Sequence, residues 1–352
     1  MASKHILSTL GRQRANEFVA ELAKYHGVAD ATQEFSIDPS RIQELQPLKE
    51  QEGQTFLDML TVIPKPQMKG DVIFIGKAGL TASRTNTLDG DERTPKGAHG
   101  KTKNTFDMGP VENDVAITYD EIDSWAMFPN MFELWGMKVR ECIADDRLRV
   151  GWYGQRSDTA TDRATNPNGE DVLPGWLYQI KGYNNGSQYI DGSGGDVVLG
   201  STGDVGVPTL DFLVSITKAK VDIVYRRSPD LVALISENLA NHEEQMYYRI
   251  NGRKPEQKLT IMQNGELNRS YGGLPCYVPP FFPDGTVLVT SLDNLHLYFQ
   301  ASSLRRYVRD YSPRNQYEDF NSRNECYAVG DYRKTALVDG ITIDEAIADV
   351  AP

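Results

Sequence analysis

The sequence predicts an α+β fold, and three observations carry that prediction. Apolar residues recur at helical spacing over 4–26, 120–155, 210–224 and 237–250. Runs of strand character stand at 72–75, 115–119 and 231–235, in "TVLVTS" and in the alternating "LHLYFQ", and residues 274–345 read mainly as strand. Finally, helices and strands are interspersed without the regular βαβ alternation that a doubly wound parallel sheet requires.

Taken in order, residues 4–26 form an amphipathic helix with Leu7, Leu10, Phe18, Leu22 and Tyr25 near one stripe, stopped by Gly27. Such a terminal helix either packs on the body or serves as a detachable arm. Asp38-Pro39-Ser40 opens a second helix, with Ser40 and Gln43 spaced as a capping box and Ile42, Leu45 and Leu48 on one face. Between the strands at 72–75 and 115–119 lies a long polar excursion, "GKAGLTASRTNTLDGDERTPKGAHGKTKNTF". A loop of that length is uncommon in a compact domain unless it has a task, and a hairpin reaching off the body would clasp a neighbour. From Asp120 to about Gln155 the helical pattern spans nearly 40 Å at ~1.5 Å per residue, with Pro129 as a kink or as the true start. A Gly-rich stretch, "YNNGSQYIDGSGGDVVLGSTGDVG", reads as loop and short strands, and "ITIDEAIADV" closes the chain.

Composition excludes several classes. The chain has 352 residues, 39% apolar and 24% charged, enough to bury a sizeable core. No apolar run is long enough to span a membrane. The first 27 residues lack an apolar signal core, being interrupted by Arg12, Arg14 and Glu17, so the chain is expected to begin in the cytoplasm. Cys142, Cys276 and Cys326 are far apart and in no ligand spacing, as expected for reduced and mostly buried thiols. A net charge of −12 disfavours tight nucleic-acid binding through counterion release.

The densest cluster of oxygen ligands is "TDRATNPNGEDVLPGWL", residues 161–177. It reads as a calcium loop, a catalytic loop or a rigid corner. A calcium loop needs oxygens at positions 1, 3 and 5, Gly at 6 and Glu at 12. Starting from Asp158 or Asp162 places Ala160 or Ala164 at position 3; starting from Asn166 places Asp171 at the glycine position. Asx residues beside Pro and Gly more commonly bond their own backbone, so a structural corner of Asp162, Asn166, Asp171 and Trp176 is preferred. "GDVIFIGKA" misses the phosphate-loop spacing, and the five histidines form no zinc motif. "DGSGGD" around Ser193 has no evident histidine partner. No metal, cofactor or catalytic residue is therefore expected. Residues 298–334 interleave tyrosines and arginines with carboxylates, which suits a protein interface better than a nucleic-acid platform. Two rival classes remain: a hydrolase using the polar loops 157–195, and a nucleic-acid-binding module on 298–334.

Several stretches, in order, resemble the major capsid proteins of P2-like tailed bacteriophages: "FSIDPSRIQEL", "FLDMLTVIPKPQMKGDVIFIG", "TDRATNPNGEDVLPGWL", "PDLVALIS", "LPCYVPPFFPDGTVLVTSLDNLHLYFQ" and "RNQYEDFNSRNECYAVGDY". The resemblance implies an HK97-like capsid fold. In it, 1–35 is a helical arm, 36–63 an N-arm, 64–118 an extended E-loop and 119–177 a P-domain with the spine helix. Residues 178–300 become the A-domain and 301–352 the returning P-domain strands. It further implies assembly as pentamers and hexamers of an icosahedral procapsid, localisation in the virion shell, and as partners an internal scaffold and protease, a portal and packaged double-stranded DNA. It also implies proteolytic removal of the N-terminal segment, with the junction near Phe35-Ser36.

Overall fold

The computed structural model describes residues 7–33, 35–36, 56–77, 82–85, 92–93, 99–128, 130–200, 206–251 and 266–343. Most of the expected helix from Asp38, most of the tip of the polar excursion, Pro129 and the chain after Ile343 lie outside the described residues.

Helix α1 (Thr9–His26) is capped by Ser8, whose hydroxyl accepts the Gly11 N–H, and is ended by Gly27 at a φ of 67°. Its inward face is Gly11, Ala15 and Leu22, with Phe18 partly buried; Leu10 and Tyr25, expected on the same stripe, are exposed. The sequence stripe was too wide because alanine and glycine, which let helices approach closely, carry little weight in an apolar count. Strand β1 is Phe35–Ser36 and, after a 3-10 turn at Leu57–Met59, β2 is Thr61–Lys65. Strands β3 (Lys69–Lys77) and β4 (His99–Asp107) pair antiparallel as a separate two-stranded ribbon, from Lys69 opposite Asp107 to Lys77 opposite His99. The last eight residues of the polar excursion are thus strand; pairing along a ribbon overrides the weak intrinsic preference of "HGKTKNTFD".

Strands β5 (Gly109–Glu112) and β6 (Val115–Thr118) lead into α2 (Tyr119–Trp125). Thr118 and Glu121 close a capping box at its start. The helical stretch expected over 120–155 is divided: α2 ends at Trp125 and the long α3 runs Met131–Tyr153. The chain continues through α4 (Trp176–Gly182), β7 (Tyr189–Asp191), β8 (Val198–Leu199), β9 (Gly206–Val207), α5 (Leu210–Lys220), β10 (Val232–Ile235) and α6 (Glu237–Asn251). It finishes with β11 (Glu266–Tyr271), β12 (Leu274–Tyr277), β13 (Val287–Thr290), β14 (Leu295–Gln300), β15 (Arg305–Tyr311), β16 (Gln316–Val329), β17 (Ala336–Asp339) and β18 (Thr342–Ile343).

Two larger sheets organise these elements. The first runs β1-β15-β16-β14-β2, with β5 and β6 also paired to the 14-residue β16. The second runs β11-β12-β10-β13-β17-β7. Strand β10 is buried at every residue because both faces of its sheet are covered. Ala233, Ile235, Val287, Val289, Ala336 and Val338 face a core shared with α5 and the start of α6. The alternate residues Val232, Leu234, Leu288 and Leu337 face Trp152, Trp176 and Ile180 in a second core that also takes Leu295, Leu297 and Tyr327 of the first sheet. Because this second core joins the two sheets, α3 and α4 bridge them.

Sheet membership moves two expected boundaries. Leu295–Gln300 pairs with β16 and β2, so it belongs with the strands after 301, whereas Ala336–Asp339 pairs with β13 in the other sheet. The ribbon strands are Lys69–Lys77 and His99–Asp107, whereas Gly109–Glu112 and Val115–Thr118 pair in the first sheet. Alternation of side chains marks a strand without naming its partner, which is why these limits escape a sequence reading.

Candidate functional site

The cluster singled out in sequence is a closed loop between α3 and α4. Asp171 is buried, and one of its carboxylate oxygens accepts the Asp162 N–H at 2.7 Å and the Asn166 amide at 3.1 Å. Asp162 accepts the Ala164 N–H at 3.0 Å and the Thr165 hydroxyl at 3.0 Å. These bonds hold its carboxyl below the usual range, the Ala164 N–H contributing most. Glu170 accepts both the backbone N–H and the side-chain amide of Asn168. Gly169, at a φ of 78°, makes the reversal that returns the chain, so that Gln155, Arg156 and Asp158 donate their N–H groups to the carbonyls of Glu170 and Asp171. Both carboxylate oxygens of Asp162 and of Glu170, and one of Asp171, therefore accept bonds from within the loop itself. Among the described residues no group of three or more His, Cys, Asp or Glu could hold a metal ion.

The loop is anchored where it meets α3. Trp176 is fully buried, donates its indole N–H to the His296 carbonyl at 2.9 Å, and lies with ring centroids 4.9 Å from both Trp152 and Tyr327. This contact exists only because Gly151 stands beneath the ring: a Cβ there would fall 2.2 Å from Trp176. Gly175 likewise has no room, since a Cβ would meet the Gly151 carbonyl at 2.4 Å. Gln179 of α4 donates to the Tyr327 carbonyl, and the Tyr327 hydroxyl donates to the carbonyl of Arg147. Helix α3, the loop, α4 and β16 form one joint. Gly151, Gly175 and Tyr327 were not singled out in sequence; only the glycine spacing around Trp152 and Trp176 could have hinted at them.

A second joint, also unforeseen, ties α3 to β16. Glu325, 1% exposed, receives the Arg147 guanidinium at 2.8 Å and that of Arg323 at 2.5 Å. Burial alone would raise the Glu325 carboxyl, but Arg147 and Arg323 hold it below the ordinary range. Burial, with Arg147 alongside, pushes the Arg323 guanidinium down to about 10, so it stays charged near neutrality; its face rests over the Phe299 ring at 4.3 Å. Similar pairs account for other arginines of 298–334: Arg306 with Asp319, Arg309 with Glu318, and Arg333 with Asp331. Tyr298, Tyr317 and Tyr327 are buried. The interleaved charges neutralise one another within the sheet, and these arginines and tyrosines form no basic, aromatic platform.

The Ser193 N–H donates to Asp191 in an exposed turn. Both ring nitrogens of His296 are engaged, by the Tyr298 hydroxyl at 2.6 Å and the Asp293 carbonyl at 2.9 Å. Cys276 and Cys326 are buried and their thiols are pushed up to about 12 by that burial; Cys142, expected with them, is exposed. Phe35 and Ser36 form β1, an addition to β15 opposite Arg306 and Arg305. The chain before them is integral to the fold: Leu7, Ala15, Leu22 and Ala31 share a core with Ile122, Met131 and Phe299, and Phe18 stacks on Phe132 at 4.8 Å.

What remains unsatisfied lies outward. Trp125 (47% exposed), Met127 (81%), Phe128 (59%) and Leu134 (51%) form an apolar crest where α2 gives way to α3. The β3–β4 ribbon, about 30 Å long at ~3.3 Å per residue, is held to the body at its base: Phe106 and Met108 pack on Tyr298, Cys326 and Ala328, and Asn104 donates to the carbonyls of Val329 and Gly330. Two sheets on a bridging long helix, an outreaching ribbon, tightly tied internal joints and an apolar crest define a structural subunit that works through its surfaces. The chain belongs to the P2 family of phage major capsid proteins, whose family model matches residues 14–341. It is 28% identical over 349 residues to the capsid proteins of Escherichia phage P2, covering 95% of each chain. It is 26% identical over 348 residues to the major capsid protein of Serratia phage KSP20, covering 96% of this chain and 98% of that one. Among solved structures it is similar to a chain of the satellite phage P4 procapsid that includes the size determination protein, with a TM-score of 0.67, 26% identity, and 86% of this chain and 99% of that chain covered. The capsid of the native GTA particle shares the fold at a TM-score of 0.52 and 14% identity, over 82% of this chain and 90% of that one. The fold is HK97-like, and the chain is a major capsid protein, a structural component of the virion shell.

Proposed function

We propose that this subunit assembles in the host cytoplasm, as pentamers and hexamers, into an icosahedral procapsid that encloses double-stranded DNA. An internal scaffold and protease and a portal are its assembly partners. The observation that carries the reading is the ribbon Lys69–Lys77/His99–Asp107, which is anchored at its base and, in this reading, extends each subunit's reach onto a neighbour. The apolar crest at Trp125, Met127, Phe128 and Leu134 supplies a second contact surface. In this reading the first sheet with α3 is the P-domain and the second sheet with α5 and α6 is the A-domain. The joint of Asp162, Asn166, Asp171 and Trp176 is a structural corner that fixes one against the other.

Processing near Phe35-Ser36 would take α1 with it and uncover Ile122, Met131 and Phe132. Burial of such side chains is worth about 1.5–3 kcal/mol each, so the cleavage fits best after assembly has supplied another cover. Electron microscopy and light scattering of the purified chain, alone and with its scaffold, test the reading. Closed shells or hexameric rings are expected; a subunit that stays monomeric at every concentration with scaffold present would overturn it.

A further inference from the structure

A cleft of about 390 Å³ opens at the C-terminal end of α5, between the 226–231 segment and the β11–β12 turn, with Lys218, Arg226, Arg227 and Ser228 on its polar side and Leu231 and Leu274 among its apolar lining. Its cations are set by backbone. Arg226 donates Nε to the Val221 carbonyl at 3.2 Å and Nη2 to the Ala219 carbonyl at 2.5 Å, so it caps α5 while leaving Nη1 free of those bonds. Lys218 donates to the Gly272 carbonyl at 3.1 Å. Among the described residues, Lys218, Arg226 and Arg227 make no ion pair with a carboxylate. The adjacent Asp230 is taken by Lys334. In a chain with 49 acidic and 37 basic residues, where the arginines of β15 and β16 discussed above are matched by carboxylates, three cations without a carboxylate partner among the described residues, two of them oriented by backbone carbonyls, stand apart around one concavity.

We propose that this cleft receives a carboxylate flanked by apolar side chains on a second copy of this chain. Guanidinium and ammonium groups on one wall fit a carboxylate. The exposed Pro229 and Pro275 fit the side chains beside it, which a phosphodiester backbone does not offer. The chain carries this chemistry on its own surface: Glu133 is exposed directly beside Leu134, on the apolar crest. A cleft on one copy and an acidic, apolar tip on another make a heterologous contact, the kind that closes rings. The choice of a second copy as partner rests on the shell reading above; the ligand chemistry does not.

Fluorescence anisotropy with the full chain tests the ligand. The probes are a labelled peptide of alternating leucine and glutamate, its leucine–glutamine counterpart and a short oligothymidine. The glutamate peptide is expected to bind at least tenfold tighter than either of the others. Arg227→Glu should abolish that preference at an unchanged melting temperature, while Arg227→Lys retains most of it. Equal binding of the glutamate and glutamine peptides, or tighter binding of the oligonucleotide, overturns the proposal. For the partner, Arg227→Glu should raise the protein concentration needed for assembly at least tenfold. Normal assembly by a variant that has lost peptide binding would refute the second copy as occupant while leaving the shell reading intact.

Discussion

Replacing Glu325 with glutamine strips the only carboxylate from a buried group of three charges and leaves Arg147 and Arg323 facing each other. Glu325 is 1% exposed and Arg323 is buried, so water cannot substitute for the lost charge. Removing one partner of a buried ion pair costs about 3–5 kcal/mol, because the remaining charge stays desolvated. Here two guanidiniums are left, which places Glu325→Gln at the upper end. Arg147→Met should cost less, about 1–3 kcal/mol, since Glu325 keeps Arg323. Replacing all three by apolar residues of similar volume should cost least, because no uncompensated charge survives.

The order Gln variant, Met variant, triple variant is the content of the prediction, read from urea unfolding of the unassembled subunit. The pH dependence gives an independent check. Glu325 has a folded pKa below its unfolded value of about 4.3. Its contribution is therefore full above that value and is lost as pH falls through the folded pKa. Wild type should lose stability more steeply than Glu325→Gln below about pH 4.3. A Gln variant within about 1 kcal/mol of wild type, or parallel acid profiles, would show that Arg147 and Arg323 are solvated and that α3 is held to β16 by packing alone.

Further expectations concern the other joint, the ribbon and the histidine. Gly151→Ala should destabilise by about 1–3 kcal/mol through the clash with Trp176, and Trp176→Ala by about 3–5 kcal/mol through the cavity, both measured by urea unfolding. Asp162→Ala should lower stability or shell yield; full yield at normal stability refutes the corner role. Closing the ribbon with a two-residue turn in place of 78–98 should leave the melting temperature unchanged and abolish shells in electron micrographs, and wild-type assembly would sink the arm reading. His296, whose pKa is lowered by burial and the nearby Lys65 despite the Asp293 carbonyl, should contribute stability that is full above its unfolded pKa of about 6.5 and declines as pH falls below it. His296→Gln should flatten the stability profile over that window.

The helices and many of the strands could be read from spacing because their signals are local: the stop at Gly27, alternation in β14, the uninterrupted apolar run of β10. The break between α2 and α3 was foreseeable from Pro129. Sheet membership was not, because β14 and β17 carry similar local signals yet pair in different sheets. The same divide runs through the candidate site. That Asp162, Asn166 and Asp171 hydrogen-bond within one loop could be anticipated from their spacing and from Gly169 among them. That Trp176 rests on Gly151 and donates to the carbonyl of His296, 120 residues away, could not.

This divide has a physical consequence for how such a subunit assembles. The charges most conspicuous in sequence, the arginines and carboxylates of β15 and β16, are consumed by one another inside the subunit, where they tie β15 to β16 and, through Glu325 and Arg147, β16 to α3. They cannot serve a neighbour without leaving buried partners bare, at a cost larger than a surface ion pair returns. Contacts between copies must therefore be drawn from groups the fold leaves unspent. Among the described residues these include the ribbon, the crest around Met127 and Phe128, and the cleft beside Arg227. If instead Arg306 or Arg309 were the ring-forming groups, their removal would impair assembly and folding together. Arg227→Glu and a shortened ribbon should impair assembly alone, and that separation is what identifies a surface kept for another copy.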